Sequence, residues 1–212
     1  MTIRRAFPDD IPAIADLFQS AFPEALAAVF GRPRLPPAAV QDVFELIFCY
    51  EPPGLFVAQD NGAILGFVSV VSDRERFHRR VLGPRGVLRL LARWLFGRYR
   101  GLGLAFVPRL LRAAWRYRRG ETAALPKEPA AQFLSIVVRQ DARRRGLGAA
   151  LLEAALAYLR QTPATAARLE VDAGKAAVVS LYRRFGFSET GRIPSPRGPA
   201  LIMLRSLSGS KN

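Results

Sequence analysis

The sequence predicts a single α/β domain built on a mixed sheet, and three observations carry that reading. The chain has 212 residues, half of them apolar and 23% charged, enough for one sizeable core and too few for two comfortable ones. Residues 133–138, 147–160 and 168–172 read as strand, helix and strand, and such a crossover lays its two strands parallel. Two further apolar runs meet at Asn61-Gly62, a dipeptide that favours a tight antiparallel hairpin. Parallel and antiparallel pairs therefore share one sheet.

Taken in order, residues 2–5 form a first strand. Asp9 and Asp10 are N-cap candidates for a helix in which Ile11, Ile14, Phe18 and Phe22 recur at helical spacing, with Pro12 in the first turn. Residues 37–50 give a second helix with Val40, Val43, Phe44 and Ile47 inward. Residues 55–59 and 63–72 are the hairpin strands. Between the third and fourth strands, residues 74–130 are expected to insert basic amphipathic helices at 84–96 and 107–117, joined through Gly101-Leu102-Gly103. In the first of these, Arg85, Arg89 and Arg93 form one stripe and Val87, Leu88, Leu91, Trp94 and Leu95 another. The simpler expectation is that these helices cover a sheet edge and turn their arginines to solvent. A linker at 120–129 returns to the core, and residues 187–193 and 199–204 close the chain as an antiparallel pair. The domain is expected to span residues 1–208, with a tail at 209–212.

Charge is distributed unevenly. Of a net +15, residues 74–119 supply +13, from 14 arginines against the single acid Glu75. Such a segment suits an anionic surface or an acidic partner, and it lacks the aromatic interleaving expected of a nucleic-acid surface. One cysteine, Cys49, cannot form an internal disulfide and reads as a small core residue. The one histidine, His78, reads as a surface residue, and no Cys/His cluster suggests a metal. With no signal peptide and no apolar run of membrane-spanning length, the expectation is a cytoplasmic protein. Composition leaves the oligomeric state open, a homodimer included.

The most informative stretch lies at residues 133–152. A β-branched run ends at Val138, and a turn with Arg143, Arg144, Arg145, Gly146 and Gly148 leads directly into a Leu/Ala-rich helix. Main-chain N–H groups at a glycine turn, the positive end of a helix and nearby guanidiniums suit a phosphorylated ligand. A mononucleotide P-loop is excluded because no Gly-Lys-Ser or Gly-Lys-Thr occurs. The dinucleotide fingerprint is excluded because Leu151 stands where a small residue is needed and the glycines follow the strand too late. The remaining R-x-x-G-x-G pattern, Arg143 to Gly148, resembles the pyrophosphate-binding motif of the GNAT N-acetyltransferase superfamily. A second block, residues 168–187, resembles that family's next segment: a strand, a short helix ending in Leu181-Tyr182, and Gly186-Phe187 opening another strand.

The resemblance implies helices on both faces of the sheet and acetyl-CoA as cosubstrate. It places the pantetheine arm between the two parallel strands, against the backbone of Ile136, Val137 and Val138. Arg143, Arg144, Arg145, Gly146, Leu147, Gly148 and Ala149 would hold the pyrophosphate. Tyr182 matches the family tyrosine that lies beside the sulfur and acts as general acid. Glu170, on a strand position opposite in direction to Leu169 and Val171, is the general-base candidate, with Asp172 in reserve. Its twelve-residue spacing to Tyr182 is similar to that in the ribosomal-protein N-terminal acetyltransferase branch. A simple ion pair with Arg168 is the competing role for Glu170. Lys175 stands where many members carry a cofactor-contacting asparagine, and Val178 replaces a usual alanine. The 191–198 connection lacks the aromatic pair of the ribosomal-protein branch. The expected function is transfer of acetyl from acetyl-CoA to a primary amine of a small molecule or a protein N-terminus. The alternatives are a non-catalytic acyl-CoA-binding module and an enzyme recruited to anionic surfaces through residues 74–119.

Overall fold

The computed structural model describes residues 1–81, 83–119, 130–195 and 198–207, the side chains of residues 113–119 excepted. Seven strands, β1 (Thr2–Arg5), β2 (Leu55–Asp60), β3 (Ala63–Val71), β4 (Ala130–Val138), β5 (Ala166–Asp172), β6 (Ser188–Ser195) and β7 (Gly198–Ser206), form one sheet in the order β1-β2-β3-β4-β5-β7-β6. Only β4 and β5 run parallel. The β2–β3 turn has positive φ at both central residues, Asn61 (46°) and Gly62 (81°), as a tight hairpin twisted like its strands requires. The expected linker at 120–129 and tail at 209–212 lie outside the described residues.

Helices cover both faces. On one lies α7 (Leu147–Leu159), whose Leu147, Leu151, Leu152, Leu156 and Leu159 are at most 1% exposed. They recur at helical spacing and pack on Val68, Val70, Phe133, Leu169 and Met203. Each such burial contributes roughly 1.5–3 kcal/mol. Val179 and Tyr182 of α8 (Ala176–Arg184) join the same core. The opposite face carries α1 (Ile11–Ala21), α2 (Pro23–Phe30) and α3 (Pro37–Tyr50), with Ile14, Phe44 and Ile47 on Leu55, Val57, Phe67 and Val71. The α2 helix was not expected: Pro23 opens a new helix after Phe22, using the first-turn position where its missing N–H costs nothing. Asp10 stands at the start of α1 but makes no cap bond to it. Its carboxylate instead takes Arg4 at 2.7 and 2.9 Å and the amide of Phe7 at 2.8 Å.

Between β3 and β4 lie three helices, α4 (Arg74–Val81), α5 (Pro84–Leu95) and α6 (Phe106–Arg119); α5 and α6 lie where the spacing puts them, whereas α4 and the packing depart from expectation. The sheet ends in β1 and β6, and the main packing of these helices lies elsewhere: α5 packs on α3 and α4, and α6 on α2 and α5. The polar and apolar stripes of α5 are also not divided as the spacing suggests. Arg93 turns inward to ion-pair with Asp42 and Glu45 of α3, whereas Leu88 and Leu95 face solvent at 66% and 74% exposure. Asp42 is the cause. Fully buried, it also accepts Arg98 at 3.0 Å and the Tyr99 hydroxyl at 2.7 Å. A buried carboxylate must be paired, so it draws arginines to a face that leucines would otherwise take. Asp42→Asn should cost about 2–4 kcal/mol and lower the melting temperature by roughly 10 °C, measured by thermal unfolding.

Three smaller expectations also fail. Val43 is 39% exposed, while Val40, Phe44 and Ile47 face the core. Cys49 lies on the exposed side of α3, and His78 is buried against Phe77 rather than on the surface. No single helix among the described residues is long and apolar enough to cross a membrane.

Candidate active site

The site begins where the parallel ladder stops. β4 and β5 pair only at Ala130–Ala166, Ala131–Ala167 and Gln132–Arg168, although β4 continues to Val138 and β5 to Asp172. Beyond Gln132, β4 stays with β3 as far as Val138–Gly66, and β5 stays with β7 as far as Asp172–Ala200. Each strand is held by its antiparallel neighbour, so a seam opens between them. Leu134, Ser135 and Ile136 are partly exposed in the middle of a central strand. Along this seam the backbone of β4, with Ile136, Val137 and Val138, has an edge that no strand among the described residues occupies.

A bulge adjusts β4 within the seam. Ser69 pairs with Ser135 and Val70 with Phe133, so Leu134 is an extra residue. The insertion shifts the side-chain alternation by one position. Ala131 and Phe133 face α7 before it, Ile136 and Val138 after it, and Val137 packs into the opposite core.

At the mouth of the seam the chain turns into α7. The Arg139 amide returns to Leu65 O at 2.8 Å, and the Arg143 side chain donates from Nε to Val138 O at 3.2 Å. Arg144 and Gly146 both have positive φ, 63° and 79°; Gly146 adopts it without the Cβ penalty. Gly146 is the N-cap and supplies no capping side chain. The first amides of a helix have no intrahelical acceptor, so those of Leu147, Gly148 and Ala149 are donors at the positive end of α7. The side chains of Arg143, Arg144 and Arg145 are exposed around them. A Cβ built on Gly148 would lie 3.7 Å from Leu181 Cδ2 and 4.0 Å from Val138 Cγ2. The start of α7, the end of β4 and α8 therefore converge at this point.

Glu170 and Tyr182 lie on opposite sides of the sheet. Tyr182 belongs to the core under α7, 7% exposed, with its ring edge-on to Phe187 at 6.0 Å. Burial pushes its phenol up to about 12, so it keeps its proton across the neutral range. Glu170 projects away from Leu169 and Val171, which belong to the α7 core. Its Oε1 is ion-paired with Arg168 at 2.9 Å, so the competing expectation for this carboxylate is realised as a contact. Arg168 is itself 1% exposed, and its Nε and Nη1 are buried without a hydrogen-bond partner among the described residues. Asp172 accepts the Gly174 amide at 2.9 Å and shapes the turn into α8. Lys175 is exposed at the start of α8, its ammonium 5.8 Å from the Phe22 ring centroid.

Sequence reasoning missed Arg168 as a buried cation and Phe22 as a neighbour of the β5–α8 turn. An arginine two residues before a strand carboxylate shares its face by strand alternation, which is the one signal the sequence offered for the first. Among the described residues no His/Cys/Asp/Glu group could hold a metal.

A sheet parted between two parallel strands, with a glycine turn and a helix start at the opening, defines an acetyl-CoA-dependent acyltransferase. The chain belongs to the acetyltransferase (GNAT) family, whose model matches residues 11–187, and acetyl-CoA is its cosubstrate. No curated protein matches it significantly. Among solved structures it is similar to one described as SsHAT, at 25% identity and a TM-score of 0.70, covering 98% of each chain. It is also similar to the ribosomal-protein-S18-alanine N-acetyltransferase from Escherichia coli, at 19% identity and 0.56, covering 100% of this chain and 96% of that one. A third is yncA from Salmonella typhimurium, solved with its cofactor acetyl-CoA, at 17% identity and 0.60, again covering 100% and 96%.

Proposed function

We propose that the protein transfers acetyl from acetyl-CoA to a primary amine, on a small molecule or a protein N-terminus, by direct attack in a ternary complex. The observation that carries this is the seam, with Tyr182 on one face of the sheet and Glu170 on the other. A pantetheine arm laid along β4, with its pyrophosphate on the amides of Leu147, Gly148 and Ala149, brings the thioester between them. Lys175, exposed at the start of α8, is the further candidate to meet the cofactor. The amine nitrogen attacks the acetyl carbon, the C–N bond forms and the C–S bond breaks. Glu170 Oε2, left available while Arg168 holds Oε1, takes the ammonium proton directly or through water. Tyr182 protonates the departing thiolate, and the second proton shed by the nitrogen as the amide forms restores the phenol. Backbone N–H groups on the free edge of β4 polarise the carbonyl.

The test is coenzyme A release across a panel of amines and N-terminal peptides. Turnover with at least one class is expected, and acetyl-CoA binding without any turnover would reduce the chain to a binding module. Tyr182→Phe should lower kcat about 10²-fold and leave acetyl-CoA affinity unchanged. The raised phenol pKa also fixes a pH dependence. In the unfolded chain the phenol titrates near about 10, so the stability from keeping it neutral is complete below that pH. It is lost as pH rises toward about 12. Alkaline melts of Tyr182→Phe should accordingly decline less over that window; parallel curves would show that the phenol is not buried as described.

A further inference from the structure

We infer that α5 and the loops joining it to α6 form a docking surface for an anionic lipid bilayer. Nine large apolar side chains are well exposed among the described residues, and five of them fall here or on the adjoining first turns of α6: Leu88 (66%), Leu95 (74%), Phe96 (85%), Leu104 (80%) and, on α6, Leu111 (48%). Leu88 and Leu95 are seven residues apart, two turns of helix, so they project along one line of α5. Phe96 follows directly as the C-cap of α5, and Leu104 lies exposed in the connection to α6. This surface shares no residue with the acyl-transfer site.

Charge selects the occupant. Residues 84–112 contain seven arginines and no acidic residue. Arg93 and Arg98 are held by Asp42 and Glu45, and Arg109 by Phe30 O. Arg85, Arg89, Arg100 and Arg112 remain exposed beside the leucines. Leucine and phenylalanine side chains ringed by guanidiniums match the boundary where anionic headgroups meet acyl chains. Nucleic acid would satisfy the arginines and leave the leucines against phosphate. An acidic protein would do the same unless it also offered an apolar groove.

The experiment is co-sedimentation of the full chain with vesicles of phosphatidylcholine alone, or with about 30 mol% phosphatidylserine. Binding is expected only to the anionic vesicles, weakening several-fold as salt rises from about 0.1 to about 0.5 M. An L88E/L95E/F96E variant should lose binding at least about tenfold, and R85Q/R89Q/R100Q by about tenfold or more. Both should keep the wild-type melting temperature and acetyl-CoA affinity, because the altered side chains are exposed. The inference is overturned if the wild-type chain ignores anionic vesicles, or if neither variant weakens binding. A dimer that dissociates in the leucine variant would give the face to a second copy of the chain and overturn it too. So would binding to duplex DNA that only the arginine variant loses.

Discussion

Gly148→Glu is expected to abolish measurable acetyl-CoA binding, weakening it at least about 100-fold, while the protein still folds. The amides of Leu147, Gly148 and Ala149 have no side-chain cap and stand at the positive end of α7. A glutamate there places its own carboxylate at the proposed diphosphate position, and adds bulk where that ligand would approach the backbone closely. A Cβ at this position would meet Leu181 and Val138 only at ordinary contact distances, 3.7 and 4.0 Å. The fold should therefore tolerate the change, and an acidic side chain in a first helical turn even interacts favourably with the helix. Calorimetry with coenzyme A and thermal melting separate the two effects. Gly148→Ala is the control, folding normally and binding nearly as well. Full affinity in Gly148→Glu would remove the phosphate site from this helix.

The second large effect is expected at Glu170. Glu170→Gln should reduce kcat about 10²-fold, with the deficit greatest at low pH, where the acceptor amine carries a proton that must be removed. As pH rises and free amine accumulates, the variant should recover. Under the proposed mechanism Arg168 would act through Glu170 as a positioning residue: it is almost fully buried and holds Oε1 at 2.9 Å. Arg168→Met, which keeps an apolar stem of similar length, frees that oxygen and removes the adjacent cation. It should shift the acid limb of the pH–rate profile as well as lower kcat, with KM for acetyl-CoA unchanged. A fall in melting temperature with an unmoved pH profile would confine Arg168 to a structural role. A Glu170→Gln profile that superimposes on wild type would place the base elsewhere.

Much of this was legible in the sequence because its signals are local. The glycine turn after Val138, the apolar spacing of α7 and the Asn61-Gly62 hairpin each depend on neighbours within a few residues, and each element lies where its pattern put it. The resemblance carried by residues 143–148 and 168–187 extended that to cosubstrate and topology. What stayed hidden depends on contacts distant in sequence. The bulge at Leu134 and the early end of the β4–β5 ladder are set by β3 and β7, which hold each strand in its own register. The inward turn of Arg93 on α5 follows from Asp42, about fifty residues away in the chain. Periodicity identifies two stripes on a helix and cannot say which one a distant carboxylate will claim. His78 and Cys49 were misplaced for a similar reason: neighbouring composition does not report which helix face meets a partner.

The sheet amounts to two antiparallel half-sheets, β1 to β4 and β5 to β7. They are hinged by three rungs, whereas every other adjacent pair shares at least four. Bending is least resisted where the fewest bonds cross, so the softest collective motion of the molecule is expected to be a scissoring of these halves about Gln132 and Arg168. Arg168 sits at that pivot while gripping Glu170, which couples the angle of the blades to the carboxylate's aim. An acyl chain longer than acetyl would then be discriminated by how far the blades can part as well as by the size of the opening.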